Sequence, residues 1–329
     1  MDVITIGTAT RDCFLQSPDF KVIKSSAFVT GQAECFALGS KIEVPFIIFT
    51  TGGGAANAAV TFARQGLKAG CLAKIGKDLA GEGVMRTLDE EKAARNFLQV
   101  DKELPTAFSV ILITPSGERT ILVHRGASEH LEKNKIPWQK LKAKWFYLAP
   151  MAGDNVKLIK LFVDSARRQK AKIAMNPHST FIKLGLKKTA DILNKIDVLI
   201  LNREEGAKLT GIDYKEEKKI FAALDKVING IVVMTEGPKG AIVSDGKRIY
   251  RAGTYKEKKV VDRTGAGDAF GSGFVSGLIQ TGDIEYAISL GSANGTSVVE
   301  HIGAQPGILT KTQFRQRFKK LKMEKIPIK

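Results

Sequence analysis

The residues best suited to chemistry lie in one stretch, Val261-Asp262-Arg263-Thr264-Gly265-Ala266-Gly267-Asp268-Ala269-Phe270-Gly271, where two carboxylates stand six positions apart around a turn nearly free of side chains. Without bulky groups in the way, the backbone N–H groups of Gly265, Ala266 and Gly267 can approach an anion closely. The spacing that follows predicts a helix from roughly Ala266 to Ile279, with its positive end at the same place. Asp268 then falls in the first helical turn. A carboxylate there either complements the helix dipole or takes a proton from a hydroxyl that attacks a phosphoryl group. The flanking anion hole favours the second role. An ordinary aspartate titrates near ~4, so it would accept the proton late, as the oxygen bonds to phosphorus.

A second stretch, Thr51-Gly52-Gly53-Gly54-Ala55-Ala56-Asn57-Ala58-Ala59, is a glycine turn leading into helical spacing over Ala56–Gln65. Gly52 and Gly53 let a ligand approach the backbone, and Asn57 offers a donor and an acceptor to hydroxyls. Alone, such a triplet is equally a tight turn that packs a helix on a sheet. Other nucleotide signatures are missing from the sequence. There is no GxxxxGK[ST], no HRD or DFG, and Asn57 stands where the third glycine of a dinucleotide fingerprint would fall.

Taken together, Thr51–Asn57 and Asp262–Asp268 resemble the two signatures of the ribokinase-like (PfkB) carbohydrate kinases. Gly52, Gly53 and Asn57 match GGxxxN, and Asp262 to Asp268 match D-T/S-T-G-A-G-D with Arg263 as the departure. Further markers follow in order: Asp12, Asn202-Arg203-Glu204-Glu205 as N-x-x-E, Thr235-Glu236-Gly237-Pro238-Lys239-Gly240 as T-x-G-x-x-G, and Ser292–Gly307. The resemblance spans the whole chain and implies an ATP-dependent kinase for a sugar hydroxyl. It implies Asp268 as general base and Gly265, Ala266 and Gly267 as anion hole. Asp12, Gly52, Gly53 and Asn57 would hold the acceptor. Asn202, Thr235, Gly237, Gly240 and Asn294 would hold the nucleotide. Glu205 would reach Mg2+ through water. Asp262, Thr264 and Gly303, with His301 and Gly307, would hold K+, although Asp262 reads equally as an acceptor of local backbone hydrogen bonds.

The acceptor is less specified. The glutamate that ribokinase-type members carry after a middle strand is absent, since Trp145-Phe146-Tyr147-Leu148 runs into Ala149-Pro150-Met151. Phe14, Phe46 or Phe108 would stack on a base in a nucleoside kinase of the same family, or form lid core. Arg125 reads as a surface arginine, or as a contact for an acidic substrate. The alternative of another class is a non-catalytic nucleotide- or nucleic-acid-binding protein.

These residues need a frame to hold them. Short apolar runs predict buried strands at Val3–Ile6, Cys71–Ile75, Trp145–Leu148, Lys172–Met175, Val198–Leu201 and Ile231–Met234. Helical spacing alternates with them at Ala56–Gln65, Gly81–Glu91, Asn155–Gln169, Ile182–Asn194, Glu204–Leu209 and Glu216–Val227, and the C-terminal part reads as helices at Ala266–Gln280, Glu285–Glu300 and Lys311–Lys320. Alternation of this kind predicts an α/β fold, an open sheet with helices on both faces. The resemblance makes it a three-layer α/β/α domain, 1–329, with a mainly parallel sheet. Residues 13–50 lack a helix, and Ala107–Thr114 with Arg119–His124 flank a Pro115-Ser116-Gly117-Glu118 turn. Parts of 13–50 and 106–125 are expected to form a small projecting β-sheet lid, and because lids of this family often pair, a homodimer through it is one expectation of the resemblance.

Composition narrows the classes. The chain has 329 residues, and its 43% hydrophobic and 26% charged residues are ordinary for a globular protein. No run approaches the roughly 18 apolar residues of a membrane span, and Met1-Asp2-Val3-Ile4 lacks a signal peptide's pattern, so a cytoplasmic location is expected. Cys13, Cys35 and Cys71 have no CxxC spacing and the histidines no HExxH, which disfavours a zinc site or disulfide framework. The net charge of +17 comes from lysines spread over many segments without a basic–aromatic pattern. It reads as a solvated surface that attracts anionic substrates rather than as a nucleic-acid site.

Overall fold

The computed structural model describes all residues except 29, 116, 117, 320 and 329. The tip of the expected Pro115–Glu118 turn, Ser116-Gly117, therefore lies outside the described residues, as does Lys320 at the end of the expected last helix.

In chain order, strands β1 (Val3–Ile6), β2 (Thr10–Gln16), β3 (Lys21–Lys24), β4 (Gln32–Cys35) and β5 (Phe46–Gly52) precede helix α1 (Gly54–Arg64). Strands β6 (Ala69–Leu72) and β7 (Lys74–Gly76), helix α2 (Leu79–Glu90), and strands β8 (Gln99–Asp101), β9 (Ala107–Ile113), β10 (Arg119–His124) and β11 (Trp145–Leu148) follow. Next come α3 (Ile159–Arg168), β12 (Lys172–Met175), α4 (Ser179–Ile182), α5 (Gly185–Leu193), β13 (Val198–Asn202), α6 (Arg203–Thr210), α7 (Glu217–Asp225) and β14 (Ile231–Thr235). The chain ends with β15 (Ala241–Ser244), β16 (Arg248–Ala252), α8 (Ala266–Thr281), α9 (Ile284–Val298), α10 (Lys311–Arg317) and β17 (Met323–Pro327).

Among the described residues the main sheet runs β17-β16-β15-β14-β13-β12-β11-β1-β6. From β6 to β14 the pairings are parallel, and β15, β16 and β17 add an antiparallel edge. The expected parallel strands are present, and β6 to β14 are buried on both faces, as continuous apolar runs require. Alternate residues of one strand enter opposite cores: Phe146 and Leu148 pack with Phe162 of α3, whereas Trp145 and Tyr147 pack with Phe62 of α1 and Phe274 of α8. Two helical layers therefore clamp the sheet, with α3, α6 and α7 on one face and α1, α2, α8 and α9 on the other.

Three details depart from expectation. The run Cys71–Ile75 divides between β6 and β7, because β7 leaves the main sheet to pair with β8. The helix expected over 155–169 begins as a 3-10 turn, Gly153–Leu158, before α3, and the one over 182–194 divides into α4 and α5. The C-terminal part, expected to be mostly helical, also carries β17, an unexpected strand that closes the sheet edge against β16.

The small second sheet has the order β10-β9-β2-β5. Its parts match the expected segments except that β2 begins at Thr10, so Asp12 lies within it. Phe14 is fully buried and serves the core. Strands β3 and β4 pair antiparallel with each other as a separate two-stranded ribbon.

Candidate active site

The glycine turn and the anion-hole turn converge, although they are separated by more than 200 residues. Asn57, in the first half of α1, donates from Nδ2 to Asp268 Oδ2 at 3.0 Å. Asp268 sits in the first turn of α8, as the sequence predicts. Burial raises its pKa above the ordinary aspartate value, and the Asn57 bond only partly offsets that. The fully buried Tyr147 hydroxyl lies nearby without a hydrogen-bond partner among the described residues.

The geometry of α8's start explains its glycines. Gly265 caps the helix in the left-handed region, φ +78°, and a Cβ there would come within 2.4 Å of the Ala304 Cβ. At Gly267 the added carbon would meet nothing within 4 Å, because that face opens into a cavity. Helix geometry leaves the N–H groups of Gly267 and Asp268 without an intrahelical acceptor. The Ala266 N–H turns back toward the Arg263 carbonyl at 3.4 Å. Of the three expected anion-hole residues, Ala266 is thus the one already engaged.

Two cavities of about 260 Å³ each meet at this turn. One is lined by Asp12, Gly52, Gly53, Asn57, Thr264, Gly265 and Asp268, with Ser109, Ile121 and Val123 of the small sheet across from them. Asp12 is buried, which pushes its pKa up against the opposing bonds from Ser109 and Thr10. Gly52 is required beside it, since a Cβ there would fall 2.0 Å from Asp12 Oδ2. Arg125 reaches the mouth of this cavity, largely exposed and 3.6 Å from Glu129. Neither Phe46 nor Phe108 lines it, and among its described lining residues none is aromatic.

The other cavity is lined by Thr235, Gly237 and Gly240 on one side and Ala266, Gly267, Ser292 and Thr296 on the other. Arg263 also lines it. The residue that departs from the family pattern therefore carries a positive charge next to the anion hole. Ser292 is the residue here that sequence reasoning missed: its hydroxyl is buried without a partner among the described residues. Its only signal was the stretch Ser292–Gly307, within which Asn294 drew attention instead.

Asn294 does not line either cavity. It is fully buried, donates to the Ala269 carbonyl at 2.8 Å and accepts from the Leu309 N–H at 2.9 Å, tying α8 to α9 and the following loop. Asn202 and Glu205 are also outside both cavity linings. They form a reciprocal cap on α6, with Asn202 Oδ1 accepting from Glu205 N and Glu205 Oε2 accepting from Asn202 N, each at 2.8 Å. Glu205 Oε1 has no protein partner among the described residues, and burial raises the carboxyl's pKa. One carboxylate oxygen left over suits magnesium, which keeps most of its waters.

The groups around Asp262 do not fit the expected K+. Its Oδ1 accepts from Thr264 N at 2.9 Å and Thr264 Oγ1 at 2.7 Å, and its Oδ2 from Gly303 N at 3.1 Å. Arg119 Nη1, from the edge strand β10, stands 3.5 Å away. Donors and a guanidinium face this carboxylate, so it is compensated within the protein. His301 Nδ1 meets the Ser297 carbonyl instead, at 2.9 Å.

The glycine turn and the start of α8 thus bring a buried carboxylate between two cavities at one end of an open α/β sheet. Residues 23–311 match the family described as pfkB family carbohydrate kinase, and the chain belongs to it. It is 28% identical over 314 residues to ribokinase from Haemophilus influenzae, covering 94% of this chain and 95% of that protein. To cytidine kinase from Thermococcus kodakarensis it is 27% identical over 278 residues, 82% of this chain and 92% of that one. In fold it is similar to Arabidopsis thaliana ribokinase complexed with ribose and ATP (TM-score 0.77, 18% identity, 97% of this chain and 99% of that one). It is equally similar to adenosine kinase from Sinorhizobium meliloti (TM-score 0.77, 22% identity, 96% and 98%). No helix among the described residues is long and apolar enough to cross a membrane.

Proposed function

We propose that the protein is an ATP-dependent kinase, a single catalytic domain over 1–329, that transfers the γ-phosphate of ATP to a hydroxyl of a sugar or sugar-like acceptor. The observation that carries this reading is Asp268 standing at the anion-hole turn, held by Asn57, with a cavity on each side. Asp12 and Ser109 hold the acceptor's hydroxyls in one cavity, and Gly52 leaves room for them. Asp268 takes the proton of the attacking hydroxyl. The N–H groups at the start of α8 stabilise the charge on the transferring phosphoryl, where losing one such donor costs about 3 kcal/mol. Thr235, Gly237, Gly240 and Arg263 hold the nucleotide in the other cavity. Magnesium, held through water by Glu205, would neutralise phosphate charge when the nucleotide is bound.

That no aromatic residue is among the described lining of the acceptor cavity supports a sugar over a nucleoside, because a base would find no ring there to stack on. A panel of sugars and nucleosides with ATP and magnesium, read by ADP release, tests both points. Turnover of a sugar with none of a nucleoside is expected. Turnover confined to nucleosides would sink the sugar reading, and turnover of neither would sink the kinase reading. Exposed Ile47 and Phe49 on β5 support the homodimer expected through the small sheet. Light scattering should then give about twice the chain mass, and Phe49→Asp should return it to one.

A further inference from the structure

Asn57 can act on Asp268 in only one orientation of its amide, and a third residue decides which. An ionised carboxylate accepts hydrogen bonds and donates none, so Asn57 must turn its NH2 group toward Asp268 Oδ2. Its oxygen then faces away and needs a donor of its own, because Asn57 is buried. Gln305 supplies it: Nε2 donates to Asn57 Oδ1 at 3.1 Å. Gln305 is itself buried, and its backbone is pinned. Its carbonyl accepts from Arg64 Nη1 at 3.0 Å, the same group bonds the Ile308 carbonyl at 2.7 Å, and Arg64 is fixed in turn by Glu91 at 2.6 Å. Leu309 closes the loop by accepting from Gln65 Nε2 at 2.8 Å and donating to Asn294.

We infer that Gln305 is a positioning residue for the phosphoryl-transfer step: it locks the Asn57 amide in its donating orientation and so sets the direction and basicity of the Asp268 carboxylate. This rests on the reading of Asp268 as general base. Every bond in the relay points the same way, from Gln305 NH2 to Asn57 oxygen and from Asn57 NH2 to Asp268. Reverse the first and the second must reverse with it, which would set the Asn57 oxygen against the carboxylate. The other titratable groups near Asp268 make no bond to the Asn57 amide among the described residues, which leaves its oxygen to Gln305. Tyr147 presents a hydroxyl from β11 without a partner among the described residues. Asp12 and Asp262 face their own donors, and Arg125 and Arg263 each line one of the two cavities.

The test uses the full-length protein with Gln305→Glu and Gln305→Leu. Glutamate at this position offers only acceptors when ionised and forces the Asn57 amide over; leucine fills similar volume and offers nothing. With the best acceptor from the panel, kcat of Gln305→Glu should fall about tenfold, the equivalent of one misdirected buried hydrogen bond. The acidic limb of its pH profile should move to higher pH, while KM for ATP stays within about twofold, a change well under one hydrogen bond's worth. Gln305→Leu should shift the limb in the same direction by less. The carboxyl 13C titration of Asp268 reads the same shift without turnover, so it also serves a variant that has lost activity. If Gln305→Glu does not fold, as judged by circular dichroism, the leucine variant carries the test. A folded variant whose kcat and Asp268 titration both match the parent overturns the inference. Asp268→Asn separates the two layers. Full activity in that variant rejects the base itself, whereas an inactive Asp268→Asn beside unmoved Gln305 variants rejects only the positioning role.

Discussion

At the scale of single residues, the proposed mechanism trades stability for chemistry at Asp268. Burial raises its pKa, so its folded-state value lies above its unfolded one. Such a group stabilises the fold fully below the unfolded pKa, near ~4, and that contribution is lost as pH rises through the folded pKa. Replacing it with asparagine, which can still accept from Asn57, should therefore raise Tm at neutral pH. The same change should lower kcat by roughly 10²- to 10⁴-fold. In the parent, the acidic limb of kcat/KM should lie above the ordinary aspartate value, because the base must be ionised in the free enzyme. An unchanged Tm together with an acidic limb near ~4 would contradict the burial argument. Asp268, Gly265 and Gly267 were legible in the sequence because a turn and a helix start are local events. Gln305 and Arg119 were not, because each acts on a residue that only folding brings near, and Ser292 was not, because only folding places its hydroxyl, without a partner among the described residues, at a cavity wall. Asn294 was misjudged for the opposite reason: an amide close to useful residues in sequence is spent here on tying helices together.

At the scale of elements, the parallel strands were legible because they are buried on both faces, and β9 and β10 because a turn signal separates two β-rich runs. Among those missed, β16 and β17 lie on the antiparallel edge, where Arg248, Arg251 and Lys325 interrupt any apolar run, while β15 is buried but only four residues long. The small sheet was legible as segments, yet its connection to the anion-hole turn was not. Arg119 on β10 crosses to Asp262, whose side chain is only 3% exposed against 33% for the arginine. Because that guanidinium already compensates the carboxylate, replacing potassium by choline at constant ionic strength should leave the parent's activity unchanged. Arg119→Ala should lose roughly three- to tenfold in kcat/KM, a partly exposed pair being worth on the order of 1 kcal/mol. The exposed carboxylate should then make that variant respond to potassium. A parent that requires potassium would show that Arg119 gives way to the cation.

At the scale of the molecule, the charge of +17 has no concentrated face in the sequence, and the site explains only a little of it through Arg263 and Arg125. The broader consequence comes from the wall between the cavities. Gly265 faces one side and Ala266 and Gly267 the other, so in the proposed reaction donor and acceptor would share a boundary but no room. Neither ligand must pass through the other's space to arrive or depart, and the transferred phosphoryl is the only group that crosses. Binding and release should therefore follow no obligatory order. ADP should compete with ATP alone and the phosphorylated product with the acceptor alone, each noncompetitive toward the other substrate, a pattern that initial-rate product inhibition resolves. An ordered pattern would mean that closure of the small sheet, rather than the wall, decides who leaves first.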